Sequence, residues 1–191
     1  MLTELSLLTD HIGHIKSIVA TQQSYARVSG LIEEVSASEL LEDAFRLLEA
    51  GLVRHHIEII RDFEDIPKFF VDKHQFLQIL LNLLRNAKQA TADAGNPEKV
   101  IRVRIRRLGE DRVRIEVKDN GIGLPPENLT RIFAHGFTTK RDGHGFGLHS
   151  SALAAGQMGG SLRAESEGPG RGATFTLDLP LTPKRTHESL P

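Results

Sequence analysis

Amide side chains at four-residue intervals are the first feature of this chain that could do chemistry. Gln78, Asn82 and Asn86 are spaced i, i+4 and i+8, so on a helix they share one face. Asparagine is a weak helix former, which makes two of them in mid-helix unusual. Its amide oxygen is a neutral, hard ligand that can hold Mg²⁺ beside phosphates. The spacing favours such a site, although the polar face of any amphipathic helix looks similar.

A second candidate is Asp119, which opens the segment Asp-Asn-Gly-Ile-Gly directly after a predicted strand. These residue types form turns in their own right. A carboxylate at a strand end can also accept a hydrogen bond from the amine of a nucleobase, and glycines let the backbone approach a ligand. On this motif alone, both a turn and a base-binding site remain open.

Alternating glycines at Gly143, Gly145 and Gly147 precede a predicted helix and follow Lys140. Backbone amides at a helix N-terminus form an anion site suited to phosphates, and Lys140 would add a positive charge. The spacing differs from the Rossmann fingerprint, and no Gly-Lys-Ser/Thr follows as in a P-loop. A further segment, 170–175 (GRGATF), opens a predicted strand and by itself indicates only a turn.

Hydrophobic periodicity predicts the elements that position these motifs. A heptad seam from Leu5 to Ala26 predicts an N-terminal helix of a bundle, with a domain boundary near residue 30. Ser38 is expected to cap a second helix, and Asp72 with Gln75 resembles a capping box that opens a third. The remaining predictions are strands at 57–63, 68–71, 101–105, 113–117, 160–166 and 173–179, a helix ending near 158, and a disordered tail at 181–191.

Composition suits one compact α/β domain with an appendage. The chain has 191 residues, of which 39% are hydrophobic and 26% charged, with a net charge of −1 and no cysteine. These values argue against a nucleic-acid partner and exclude disulfides and thiolate zinc sites. With no apolar run as long as a membrane span, we expect a cytoplasmic chain without membrane contact. Five arginines on the polar side of two strands, at 102, 104, 106, 112 and 114, are interpreted as a solvated sheet face.

The order of the motifs carries more information than any one of them. The chain resembles the GHKL family of ATP-binding domains, and among them the sensor histidine kinases. The segments that carry the resemblance are QILLNLLRNAKQA at 78–90, DNGIGL at 119–124, IFAHGFTTK at 132–140, GHGFGL at 143–148 and GRGATF at 170–175.

This resemblance implies an α+β fold of the Bergerat type, a two-layer sandwich with helices on one face of a mixed, mostly antiparallel sheet. It implies ATP and Mg²⁺ as ligands over residues 31–180. Asn86 would hold Mg²⁺, Asn82 would contact the phosphates or the metal shell, and Asp119 would accept from the adenine amine. Lys140 would act with the two asparagines in catalysis. Further nucleotide contacts are implied for Gln89, Gly121, Gly123, Leu124, Phe133, Thr138, Thr139, Gly143, His144, Gly145, Phe146, Gly147, Leu148 and Thr174.

Asn82 favours phosphoryl transfer to histidine over ATP hydrolysis. Water-splitting relatives carry a glutamate one turn before the metal-binding asparagine, where it acts as general base. An amide cannot accept a proton usefully, whereas imidazole is already a nucleophile. A GHKL ATPase that couples ATP binding to conformational change, and a non-catalytic nucleotide sensor, remain the alternatives.

The first 30 residues resemble the second helix of a dimerisation domain and not the helix that carries the acceptor histidine. His11 and His14 lack the acidic residue and proline that usually follow the acceptor. We therefore expect the full protein to form a homodimer through this helix and to pass its phosphoryl group to the receiver domain of a response regulator. The acceptor itself is expected to lie outside this chain.

Overall fold

A computed structural model describes residues 31–139 and 145–182 of the chain. The chain divides between Leu31 and Ile32 into two units, and the description below concerns the second. The predicted N-terminal helix, with His11 and His14, lies outside the described residues. So do Lys140, Gly143, His144 and most of the predicted tail.

The second unit contains a mixed five-stranded sheet of order β2-β4-β5-β7-β6. The pairing of β2 with β4 is parallel, and the other three pairings are antiparallel. A separate antiparallel pair joins β1 to β3. The strands are β1 (Ile32–Val35), β2 (Ile57–Phe63), β3 (Phe69–Asp72), β4 (Lys99–Leu108), β5 (Arg112–Asp119), β6 (Ser161–Glu165) and β7 (Ala173–Pro180).

Three helices cover one face of this sheet: α1 (Ala37–Arg54), α2 (Lys73–Asp93) and α3 (Gly147–Gln157). The central helix α2 contacts both other helices and strands β4 and β5. Its buried stripe includes Phe76, Leu80 and Ala87, none of which is exposed to solvent. The α+β sandwich with helices on one face is therefore confirmed.

Strand alternation divides the sheet into a core face and an open face, as expected for a period of two. On β5, Val113, Ile115 and Val117 are fully buried beneath the helices, and Arg112 and Arg114 lie on the other face. Acidic partners neutralise several arginines of that face: Asp62 pairs with Arg104 and Arg106, and Asp178 with Arg114 and Arg163.

The structure corrects one helix start and adds one strand. The cap of α1 is Ser36, whose hydroxyl accepts from the amide of Glu39, and not Ser38 as expected. Strand β1 occupies residues for which the sequence predicted no element, where it pairs with β3. The cap of α2 is as predicted, because the Asp72 carboxylate accepts from the amide of Gln75 at 3.0 Å and from its side chain at 2.9 Å.

Candidate functional site

Asp119, the last residue of β5, is a buried carboxylate with one uncommitted oxygen. The residue is 2% exposed. Its Oδ1 accepts hydrogen bonds from the amides of Gly121 at 2.8 Å and Ala173 at 3.3 Å. Its Oδ2 is buried, with no hydrogen-bond partner among the described residues. Burial raises the pKa of Asp119 from 3.8 to about 6, against the opposing effect of the two amides. The arrangement suits a donor group brought by a ligand.

Two glycine-rich loops, residues 120–124 after β5 and 168–172 before β7, enclose this carboxylate and leave no room for side chains at three of their glycines. A Cβ on Gly121 would lie 2.4 Å from the carbonyl carbon of Ala90 on α2. A Cβ on Gly172 would lie 2.0 Å from the Asp119 carbonyl oxygen, and φ is +69° at this glycine. A Cβ on Gly123, where φ is also +69°, would lie 2.1 Å from the Gly168 carbonyl oxygen. All three positions require glycine for space, and Gly123 and Gly172 require it for their positive φ as well.

Backbone hydrogen bonds join the same two loops. The amide of Gly170 donates to the carbonyl of Ile122 at 2.6 Å, and the amide of Gly172 donates to the carbonyl of Gly121 at 3.1 Å. The amide of Ile122 in turn donates to the carbonyl of Ala90 at 3.1 Å. The segment after β5 is therefore fixed between the segment before β7 and the last turns of α2.

The asparagine pair of α2 lies against the start of α3. Asn82 donates from Nδ2 to the hydroxyl of Ser151 at 2.9 Å, and its Oδ1 accepts from Asn86 at 3.5 Å. Gly147, the first residue of α3, is so near that a Cβ there would lie 2.5 Å from Oδ1 of Asn82. The two amide side chains and a helix N-terminus therefore meet at one place, as a site for phosphates and a cation requires.

The segments on either side of 140–144 are also in contact. Gly145 lies against Gly136, since a Cβ at 145 would be 2.4 Å from the Gly136 carbonyl carbon. The ring of His149 is hydrogen-bonded through Nδ1 to the carbonyl of Phe133 at 2.9 Å. The ring of His135 lies 4.8 Å from that of Phe146. The Phe133 segment and the start of α3 thus form one local unit.

The other predicted contact residues differ in exposure and in the face on which they lie. Gln89 is exposed on α2, where it donates to Asp93 at 2.8 Å. Thr174 pairs with Lys118 in the sheet and so lies on the open face, opposite to Asp119. Thr138 and Thr139 are exposed beside the segment that is not described. The apolar side chains of Leu124, Phe133 and Leu148 pack against the core.

The chemistry of the site fits an adenine nucleotide with a divalent cation. An ionised Asp119 can only accept hydrogen bonds, and adenine presents an amine. Asn82 and Asn86 offer the hard, neutral oxygens that Mg²⁺ accepts. Within the described ranges, no group of three or more histidine, cysteine, aspartate or glutamate side chains could hold a metal ion. Asn86 stays the predicted ligand of the cation, with Asn82 predicted to contact the phosphates or the metal shell.

Comparison with known proteins decides the family. The family model described as histidine kinase-, DNA gyrase B- and HSP90-like ATPase matches residues 71–183, more than half of the chain. The chain belongs to this family of ATPases. The matched range of this GHKL domain contains Asn82, Asn86, Asp119 and the glycine loops, so the resemblance drawn from the motifs is confirmed.

Within this family the chain is similar to histidine kinases. It is 31% identical over 178 residues to sporulation kinase E of Bacillus subtilis (strain 168). The aligned region covers 92% of this chain but only 23% of that kinase. The nucleotide-free catalytic domain of histidine kinase ThkA matches with a TM-score of 0.72 and 26% identity, over 81% of this chain and 98% of that one. Full-length ShkA in complex with AMPPNP matches with a TM-score of 0.77 and 26% identity, over 95% and 39% of the two chains.

These similarities show that the GHKL domain is of the kind found as the ATP-binding catalytic domain of histidine kinases. No helix among residues 31–139 and 145–182 is long and apolar enough to cross a membrane.

Sequence reasoning missed two serines that hold the site together. Ser151 on α3 contacts Asn82 across 69 residues of sequence, and Ser166 contacts Leu124 across 42. Ser151 is 4% exposed, which is unusual for a serine. Its residue type gave no signal in the sequence, because the same short helix also carries His149, Ser150 and Gln157.

Proposed function

We propose that this GHKL domain binds Mg-ATP and transfers its γ-phosphoryl group to a histidine of a dimerisation helix. The observation that carries the proposal is the buried Oδ2 of Asp119, which has no hydrogen-bond partner in the part of the chain that the structure describes and can accept from the adenine amine. The opposite end of the site supports it, because Gly147 brings the N-terminus of α3 onto the asparagine pair.

Base recognition would rest on Asp119 and the glycine loops. Ionised Oδ2 would accept from the amine at position 6 of adenine, and Oδ1 is already held by two amides. The close approaches at Gly121 and Gly123 would keep the pocket narrow enough for a flat ring. Guanine, with a carbonyl oxygen at the same position, would place an acceptor against an acceptor.

The phosphates would lie at the start of α3, whose first amides are capped by no side chain among the described residues. Asn86 would hold the cation, which supplies neutralisation of charge on the transferred group. Asn82 would contact the phosphates or the metal shell. Lys140, outside the described residues, would add a positive charge. The catalytic work of the chain is then positioning and electrostatic stabilisation.

Asn82 makes histidine a better acceptor than water. Its amide donates to Ser151 and accepts from Asn86, and neither interaction creates a proton acceptor at neutral pH. A neutral imidazole attacks phosphorus with a free lone pair, whereas water must lose a proton. We therefore expect slow release of free phosphate and efficient transfer to a presented histidine.

The partners follow from this assignment and are part of the proposal. The chain spans less than a quarter of sporulation kinase E. Homodimerisation would use the N-terminal helix. A receiver domain of a response regulator would take the phosphoryl group from the histidine.

The test supplies the missing acceptor. The chain is incubated with γ-labelled Mg-ATP and a purified dimerisation domain of sporulation kinase E, and also fused behind that domain to raise the effective concentration. We expect an acid-labile, base-stable label on the acceptor histidine, absent when this histidine is replaced by glutamine. His11→Gln and His14→Gln should leave the label unchanged.

Two results would contradict the proposal. Multiple turnovers of ATP to free phosphate without label on the fused acceptor would favour the alternative, a GHKL ATPase that hydrolyses ATP and couples its binding to conformational change. Tight binding of Mg-ATP with neither label nor phosphate release would assign it to non-catalytic nucleotide sensors.

A further inference from the structure

Ser166, which directly follows β6, uses the full hydrogen-bonding capacity of its hydroxyl group. Its Oγ accepts from the amides of Leu124 at 3.0 Å and Gly168 at 3.2 Å. It donates to the carbonyl of Gly172 at 2.6 Å, with the carbonyl of Gly168 farther away at 3.3 Å. A hydroxyl has one proton and two lone pairs, so one donated and two accepted bonds satisfy it completely.

The peptide group between Gly172 and Ala173 connects this serine to Asp119. Its carbonyl accepts from Ser166, and its amide donates to Oδ1 of Asp119 at 3.3 Å. Because the peptide is planar and trans, holding the carbonyl also fixes the direction of the N–H. Hydrogen bonds in series also polarise one another, which strengthens the bond to the carboxylate.

The second bond of Ser166 acts on the other loop. Leu124 ends the segment that begins at Asp119, and its amide is held by the same hydroxyl oxygen. One side chain therefore joins both glycine-rich loops on either side of the carboxylate. The close approach of Gly123 to the Gly168 carbonyl shows that the loops are in direct contact at this point.

We propose that Ser166 is a positioning residue that sets the selectivity of the site for a 6-aminopurine. By orienting the Gly172–Ala173 peptide it holds Oδ1 of Asp119, which leaves Oδ2 directed at the amine of the base. Ser166 itself touches no part of the nucleotide. The inference rests on the proposed nucleotide binding at Asp119.

The experiment compares two nucleotides that differ only in the amine. Affinities for Mg-ATP and for the Mg complex of purine riboside triphosphate, which lacks the 6-amino group, are measured by calorimetry on the 191-residue chain. The wild type should prefer ATP by about tenfold, the value of one good hydrogen bond to a charged group. In Ser166→Ala this preference should fall to about twofold, with phosphate-dependent binding retained.

Two further variants make the outcome decisive. Ser166→Cys keeps the size of the side chain but has a weak donor, so it should lose most of the preference as well. Ser161→Ala, at an exposed position of β6, is the matched control and should keep the wild-type preference. An unchanged preference in both Ser166 variants would overturn the inference, and so would their failure to fold, which would make Ser166 a structural residue only.

The same data separate this inference from the proposed function. A wild-type chain that does not bind Mg-ATP, or does not distinguish the two nucleotides, contradicts the assignment of Asp119. A wild type with a clear preference that survives in Ser166→Ala and Ser166→Cys contradicts only the role of Ser166.

Discussion

Asp119 is a carboxylate that the fold buries at a cost to stability. Burial raises its pKa from 3.8 to about 6, so the folded state binds the proton more tightly than the unfolded chain does. Stability should therefore fall as the pH rises from about 4 to about 6, and should stay lower above that range. At about 1.4 kcal/mol per pKa unit, the cost at neutral pH is on the order of 3 kcal/mol.

The variant Asp119→Asn should remove this cost along with the base contact. At about pH 7 we expect it to be more stable than the wild type by at most about 3 kcal/mol, less the cost of burying its new amide donor. At about pH 4 the electrostatic part of this difference should vanish, because the wild-type carboxyl is then protonated in the folded state, and only the cost of the amide donor remains. Urea unfolding at both pH values measures this, and a stability difference between variant and wild type that is the same at about pH 4 and about pH 7 would contradict it.

The same titration should control base binding. Only the ionised form of Asp119 presents Oδ2 as an acceptor, so adenosine affinity should be constant above about pH 7 and fall below about pH 6, approaching tenfold per pH unit. Adenosine is the right probe because it has no phosphate to titrate. Calorimetric titrations from about pH 5 to about pH 8 measure the effect. Affinity that is flat across this range would show that Asp119 does not accept from the base.

At this scale the sequence predicted the residues with distinctive chemistry and missed the ones that support them. Asp119, Asn82 and Asn86 stand out because a carboxylate after a strand and asparagines in mid-helix are unusual. Ser151 and Ser166 are ordinary residue types, and their contacts span 69 and 42 residues of sequence. Only the folded chain brings them together. The placement of Thr174 on the open face follows from its register with Lys118, which the motif alone did not give.

At the scale of the elements, the position of α3 depends on the close contact between its first residue, Gly147, and Asn82 of α2. In Gly147→Ala, the new Cβ would lie 2.5 Å from Oδ1 of Asn82 and displace that side chain from Ser151. We expect the Mg²⁺-dependent part of ATP affinity to fall about tenfold or more, with adenosine affinity unchanged. Calorimetry with and without Mg²⁺ measures the two parts.

The same helix provides the matched control. Gly156 lies in α3 with nothing within 4 Å of an added Cβ. Gly156→Ala should therefore stabilise the domain by up to about 1 kcal/mol through helix propensity and leave binding unchanged. Equal losses of affinity in both variants would show that the effect comes from the helix and not from the contact with Asn82.

Strands β5, β6 and β7 are joined on the open face by Asp178. This residue is 4% exposed and accepts from Arg114 at 2.8 and 3.0 Å and from Arg163 at 2.8 Å. Burial alone would raise the pKa of Asp178, but Arg114 and the nearby guanidinium charges hold it below the ordinary value. Its contribution to stability is thus present above the ordinary pKa and lost as the pH falls through the lowered one.

Asp178→Asn should destabilise the domain by about 1 to 3 kcal/mol at neutral pH, because two arginines lose their charged partner. Asp62→Asn is the control, since Asp62 binds Arg104 and Arg106 in an exposed pair and should matter less. Urea unfolding of both variants gives the comparison. If Asp62→Asn costs as much as Asp178→Asn, burial does not set the strength of these ion pairs.

Element types were predictable where the period was long and regular. Alternation predicted β4 and β5, the apolar stripe predicted the helix α2, and Asp72 with Gln75 predicted its cap. Strand β1 was missed because it has only 4 residues and two adjacent glutamates, so its pattern is too short to recognise. The cap of α1 was misplaced because Ser36 and Ser38 are equally good caps by residue type. Tertiary pairing with β3 decides where β1 ends and α1 begins.

At the scale of the whole molecule, the order of the motifs along the chain predicted the family, which no single motif could do. Five segments in the right sequence implied the family and its fold, and the matched range 71–183 confirms it. The strand order β2-β4-β5-β7-β6 could not be derived from the residues themselves, since pairing depends on packing between distant parts of the chain. The proposed kinase activity rests on two observations, a candidate nucleotide site that the fold forms and an asparagine at position 82 in place of a general base.

The most direct test of this account is a titration of Mg-AMPPNP into the 191-residue chain and its Asp119→Ala variant. This nucleotide resists hydrolysis, so calorimetry measures binding alone. The account predicts one site per chain in the wild type and a loss of affinity of at least about a hundredfold in a variant that still unfolds cooperatively. Binding of equal strength to a folded Asp119→Ala variant would contradict the central claim that this buried carboxylate holds the base.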